Sequence, residues 1–123
     1  MSLLPIHNGL ATVAIIVNLL ISAYSFWRTF RYGSIDKILL GLLIGAEVIF
    51  LAQVVIGGIL LAAGVTPSGG AVHILYGVVL IATLPVTFVL TRGGKTRREL
   101  VIYAVLGLFL AGVSIRAIAT GRF

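Results

Sequence analysis

The chain has 123 residues, of which 60% are hydrophobic and only 10% charged, with a formal net charge of +6 and no cysteine. Soluble domains carry about 25% charged residues, so a water-soluble enzyme, a disordered tail and a disulfide-framed secreted module are excluded. What remains is an integral membrane protein of mean hydropathy +1.22, and at ~20 apolar residues per crossing there is room for four helices and no separate catalytic domain.

The first apolar run covers about residues 4–27 and ends in Tyr24, Phe26 and Trp27, an interfacial aromatic belt followed by Arg28 and Arg31. It is too long for a signal h-region, has no basic n-region and lacks a cleavage site, so it reads as a span rather than a leader. Gly33 and Ser34 form a turn, and Ile35, Asp36 and Lys37 lead a second crossing over about 38–63. Residues 64–70, Gly-Val-Thr-Pro-Ser-Gly-Gly, have loop chemistry. The third crossing spans about 71–90, with Pro85 expected to bend it. A second basic hairpin at 92–98 precedes the fourth crossing, about 99–118. The fold class is therefore an all-α membrane protein, one domain over residues 1–123.

Seven of the nine Lys and Arg residues lie in the two hairpins: Arg28, Arg31, Lys37, Arg92, Lys95, Arg97 and Arg98. Only Arg116 and Arg122 lie toward the other side. The positive-inside rule then predicts cytoplasmic hairpins and both termini outside, in the plasma membrane of a bacterium or archaeon. Short connections predict an antiparallel up-down bundle with the first and third helices diagonal. The charge serves as an orientation signal, and no nucleic-acid partner is expected.

Matching residues by depth across the hairpins sets Asn18 level with Glu47 at mid-bilayer. A carboxyl at that depth is costly unless paired or protonated, so a protonated Glu47 hydrogen-bonded to Asn18 is expected to fasten the first two helices. The same matching gathers His7, Gly57, Gly58, His73 and Arg116 near the outer face. The two histidines are the only ones in the chain and open the two helices that run in the same direction. Two inward imidazoles on a diagonal reach a metal on the bundle axis. A tetrahedral zinc site wants at least three protein ligands, whereas a porphyrin supplies four equatorial nitrogens and leaves two axial places. Gly57, Gly58 and Gly77 leave room for a ring edge, Gln53 offers a hydrogen bond, and Arg116 is placed to meet haem propionates. Without cysteine the haem is held non-covalently.

Residues 53–60, Gln-Val-Val-Ile-Gly-Gly-Ile-Leu, then Pro67, then 71–77, Ala-Val-His-Ile-Leu-Tyr-Gly, together resemble the haem A synthase family, as does the opening His7-Asn-Gly-Leu-Ala. The resemblance covers about residues 7–90 and corresponds to a single four-helix unit, one half of the family's duplicated fold. It implies His7 and His73 as axial ligands of a haem b. Leu4 stands where the family carries a functional glutamate, Asn8 where it carries arginine, and its cysteine pair is absent, so the synthase activity does not carry over. A bis-histidine iron favours electron transfer or an accessory haem subunit of a respiratory or photosynthetic complex over enzyme activity. Its expected partners are the lipid bilayer, a quinol or an extracytoplasmic electron carrier, and further subunits in a homo- or hetero-oligomer. The competing readings are a small proton-coupled transporter using Glu47 and a cofactor-free structural subunit.

Overall fold

Helix boundaries in this chain are set by local chemistry at each end. The computed structural model describes residues 3–121 as four helices: α1 Leu4–Arg31, α2 Lys37–Ala62, α3 Ala71–Leu90 and α4 Arg97–Thr120. Arg122 lies outside the described residues. All four helices are long and apolar enough to cross a membrane, and no strand occurs among the described residues.

Pro5 sits in the first turn of α1, where its missing N–H costs nothing. At the other end the N–H groups of Tyr32 and Gly33 both donate to the Arg28 carbonyl, and Gly33 takes φ +75°. The helix thus runs past the aromatic belt, beyond the expected apolar boundary near residue 27. Asp36 caps α2 by accepting from the Leu39 N–H at 2.9 Å. A capping box opens α4: the Thr96 N–H donates to Glu99 Oε1 at 2.9 Å, and the Thr96 side chain accepts from the backbone of Glu99. That box starts the helix at Arg97, two residues before the expected start. Pro85 lies within α3, which remains one helix.

Each helix packs on two others: α1 on α2 and α4, and α3 on α2 and α4. Neither α1 with α3 nor α2 with α4 makes a close backbone approach among the described residues. The tightest seam joins α1 to α4. Ala14, Asn18, Ser22 and Ser25 are buried on one side, and Ala104, Gly107, Ala111 and Ser114 on the other. Small side chains let two backbones approach where lipid offers no hydrophobic drive to bring helices together. Ser22 Oγ donates across the seam to the Ala104 carbonyl at 2.7 Å.

Asn18 is fully buried in this seam, and its Nδ2 donates to the Ala14 carbonyl at 2.8 Å. The expected Asn18–Glu47 hydrogen bond is therefore not formed. Asn18 Oδ1 and Glu47 Oε1 are each buried without a hydrogen-bond partner. Depth matching places the two at one level but says nothing of rotation about the helix axis, and that rotation turns Asn18 toward α4.

The apolar core is concentrated in the half of the bundle nearest the hairpins. Ile21, Leu39, Leu43, Leu84, Leu100 and Tyr103 fill it, and Ala14, Phe50 and Leu80 close it toward the other half. Beyond those three residues the interior opens into a cavity.

Candidate functional site

Ala14, Phe50 and Leu80 are also lining residues of a cavity of about 760 Å³ in the remaining half of the bundle. Cofactor and ligand sites typically measure ~300–1,000 Å³ and are mostly apolar with a few polar groups. Here Val54, Leu61, Ile74, Val78 and Ile81 supply much of the apolar wall, and His7, Gln53, His73 and Ser114 contribute polar atoms. Gly57, Gly58 and Gly77 also line it.

His7 on α1 and His73 on α3 reach across the bundle from helices that do not touch. Their ring centroids are 6.3 Å apart and the ring planes are inclined at 68°. Metal–nitrogen bonds measure ~2 Å and an imidazole nitrogen lies ~1.1 Å from its ring centroid, so two imidazoles in line on one ion have centroids ~6.2 Å apart. The observed separation is close to that value. Rotation of one ring about the ligand axis leaves that separation unchanged, so the inclination is compatible with it.

The hydrogen bonds around His73 determine which nitrogen faces outward from its support. Its Nδ1 lies 3.2 Å from Thr120 Oγ1. The Thr120 hydroxyl donates to the carbonyls of Arg116 and Ala117, at 3.1 and 3.2 Å. A hydroxyl so engaged offers its lone pair to the ring, an arrangement that suits a proton on Nδ1 and a lone pair on Nε2 of His73. This is the tautomer that a metal-ligating histidine uses, with the second nitrogen held by an acceptor. The Gly69 N–H donates to the Thr120 carbonyl at 2.7 Å, fastening the α2–α3 loop to the end of α4 at the same point.

His7 is held differently. Gln53 Nε2 donates to the His7 carbonyl at 2.8 Å and joins α2 to the start of α1. His7 Nδ1 and Gln53 Oε1 are both buried without a hydrogen-bond partner. A Cβ at Gly57 would stand 3.4 Å from His7 Cε1, at ordinary contact distance, so the ring lies directly against this turn of α2. Gly58 and Gly77 have no such neighbour within 4 Å and simply leave wall area open.

The structure thus brings together His7, His73, Gly57, Gly58, Gly77 and Gln53, but not Arg116. That side chain is exposed and absent from the lining, which α4 supplies through Ser114, Ala117, Ile118 and Gly121. These follow the helical repeat, whereas Arg116 sits ~100° round the axis from Ala117. The cavity wall on α4 is thus built without Arg116. Sequence reasoning missed Thr120, which lies beyond the expected end of the fourth span. Its spacing of three residues from Ala117, on the cavity-facing stripe, is the signal that finds it.

Among the described residues no group of three or more His, Cys, Asp or Glu side chains gathers to hold a bare metal ion. No family model, curated protein or solved structure matches the chain, and the likeness to the haem A synthase family rests on the residues quoted for it.

Proposed function

We propose that this chain is a membrane haem b protein in which His7 and His73 are the axial ligands, serving electron transfer or acting as the haem-bearing subunit of a respiratory or photosynthetic complex. The observation that carries this reading is the 6.3 Å separation of the two rings across a largely apolar cavity. When bound, haem with both axial places taken supplies a one-electron couple rather than an oxygen-binding iron.

The chain's own residues have defined tasks in this reading. Thr120 fixes the tautomer and direction of His73. Gln53 ties the His7 turn to α2, and the His7 ring rests against Gly57. The aliphatic wall would keep water from a bound iron and lower the dielectric around it, which would tune its potential. Arg116 is given no part. The absence of the synthase glutamate and cysteine pair leaves electron exchange, with a quinol or an extracytoplasmic carrier, as the activity.

We also assign an up-down course with both hairpins in the cytoplasm and both termini outside. Its supports are the concentration of seven basic residues in the hairpins and the 2.9 Å bond from the Ile35 N–H to the Lys95 carbonyl, which joins the hairpins at one end of the bundle. The cavity then lies in the outer half of the membrane.

Optical spectra of detergent-purified protein, expressed with ample haem supply, test the proposal. The dithionite-reduced form is expected to give the sharp α-band of a six-coordinate b-type haem. His7→Ala and His73→Ala should each abolish haem binding or convert it to a high-spin form. A colourless but fully folded preparation refutes the function, and an unchanged low-spin spectrum in either variant refutes the ligand assignment.

A further inference from the structure

The hairpin end of the bundle carries seven cations and only two carboxylates. Arg28 is paired with Asp36 at 3.0 Å, and Arg98 with Glu99 at 2.7 Å. Arg31, Lys37, Arg92, Lys95 and Arg97 are exposed and have no ion-pair partner among the described residues. The two hairpins form one surface. The Ile35 N–H donates to the Lys95 carbonyl at 2.9 Å. The Arg97 guanidinium passes over Gly33, where a Cβ would stand 2.9 Å from its Nη2.

Large apolar side chains flank these cations at the same end. Phe30 and Leu90 are each 77% exposed, and Trp27 and Tyr32 are exposed as well. Trp27 packs edge-on to Tyr32 with ring centroids 5.3 Å apart, and the Arg28 guanidinium lies over the Tyr32 ring. A ligand suited to this end needs an anionic head for the cations and a hydrocarbon tail for the ring of apolar side chains. A nucleic acid has the first and lacks the second.

We propose that the joined hairpins bind anionic phospholipid headgroups, with Arg31, Lys37, Arg92, Lys95 and Arg97 holding the phosphate and Trp27, Phe30 and Leu90 contacting the acyl chains. Juxtamembrane cations enrich anionic lipid by up to ~5-fold per charge, and the attraction falls off within a Debye length, which added salt shortens. This site is independent of the haem reading, and neither stands or falls with the other.

Trp27 is the only tryptophan in the chain and sits at the site. The protein is placed in nanodiscs of one fixed mixture of phosphatidylglycerol and phosphatidylcholine, with brominated acyl chains carried by one lipid or by the other. Quenching is read against unbrominated discs, which cancels any quenching by haem. Bromine on phosphatidylglycerol is expected to quench Trp27 at least ~2-fold more strongly than the same mole fraction on phosphatidylcholine. The excess should shrink in high salt and in the double variant Arg31→Gln, Arg97→Gln. If that variant does not fold, the salt titration of the unaltered protein decides. Equal quenching from both carriers overturns the proposal, whether or not the discs then retain an oligonucleotide, and so does an excess indifferent to salt.

Discussion

Gly107 is the position where the packing of the bundle is most open to a quantitative test. A Cβ added there would lie 2.7 Å from the Asn18 carbonyl oxygen, 2.8 Å from the Ser22 nitrogen and 2.9 Å from Ser22 Cβ. Two of these are backbone atoms of α1, so no side chain can swing aside. Ordinary contact needs ~3.5 Å, and Gly107→Ala must push α1 and α4 apart by several tenths of an ångström. Overpacking of this kind costs ~1–3 kcal/mol, and the better helix propensity of alanine returns at most ~1 kcal/mol. The expected net loss is ~1–2 kcal/mol, or roughly 3–10 °C in melting temperature for a chain of this size. Gly112, on the same helix, has nothing within 4 Å of its Cβ position, so Gly112→Ala gains the propensity without the clash and should melt at or above the parent. Thermal melts of the three proteins in one detergent, followed by circular dichroism, make the comparison. Gly107→Ala melting as high as Gly112→Ala would refute the seam.

Three further outcomes are expected. If the proposed haem is bound with His73 protonated on Nδ1, Thr120→Val should keep it but remove the acceptor of that N–H, making the imidazole less basic and raising the midpoint potential. A hydrogen bond worth ~1 kcal/mol corresponds to ~40 mV for one electron; potentiometry checks this, and Thr120→Ser should restore the parent value. Burial pushes the Asp36 carboxyl up, but hydrogen bonds from Tyr24 and the Leu39 N–H, with the Arg28 charge, outweigh it and hold Asp36 below the ordinary carboxylate range. A depressed carboxyl contributes stability that is complete above its unfolded pKa, ~3.9, and is lost as pH falls through the lower folded value. The melting-temperature advantage of the parent over Asp36→Asn should thus be full at neutral pH and vanish in acid. Glu47 does not line the cavity, so Glu47→Gln should leave the optical spectrum unchanged, and an altered α-band would show contact with the site.

What could be read from the sequence divides along a physical line. Span positions follow from runs of apolar residues, and the depth of a residue follows from a rise of 1.5 Å per position. Depth brought His7, Gly57 and His73 to one level, and their facing directions also agree, so they meet. Asn18 and Arg116 needed azimuth as well, and at ~100° per residue a match in depth leaves the facing direction free. Asn18 turns to α4 rather than to Glu47, and Arg116 turns away from the cavity. Thr120 needed a third kind of information, a hydrogen bond between one hydroxyl and a ring nitrogen on another helix. The ends of α1 and α4 differ from the hydropathic boundaries because a glycine at positive φ and a capping box decide where helices stop and start.

The closest approach in the bundle unites the first membrane segment with the last. A nascent chain cannot make that union until α4 has emerged and entered the bilayer, and the tie from Gly69 to Thr120 waits on the same event. His7 and His73 therefore spend most of biosynthesis in helices not yet held at their final spacing. On the proposed function, a tetrapyrrole would be loaded at the close of assembly, and a chain cut short before α4 should insert yet stay without pigment.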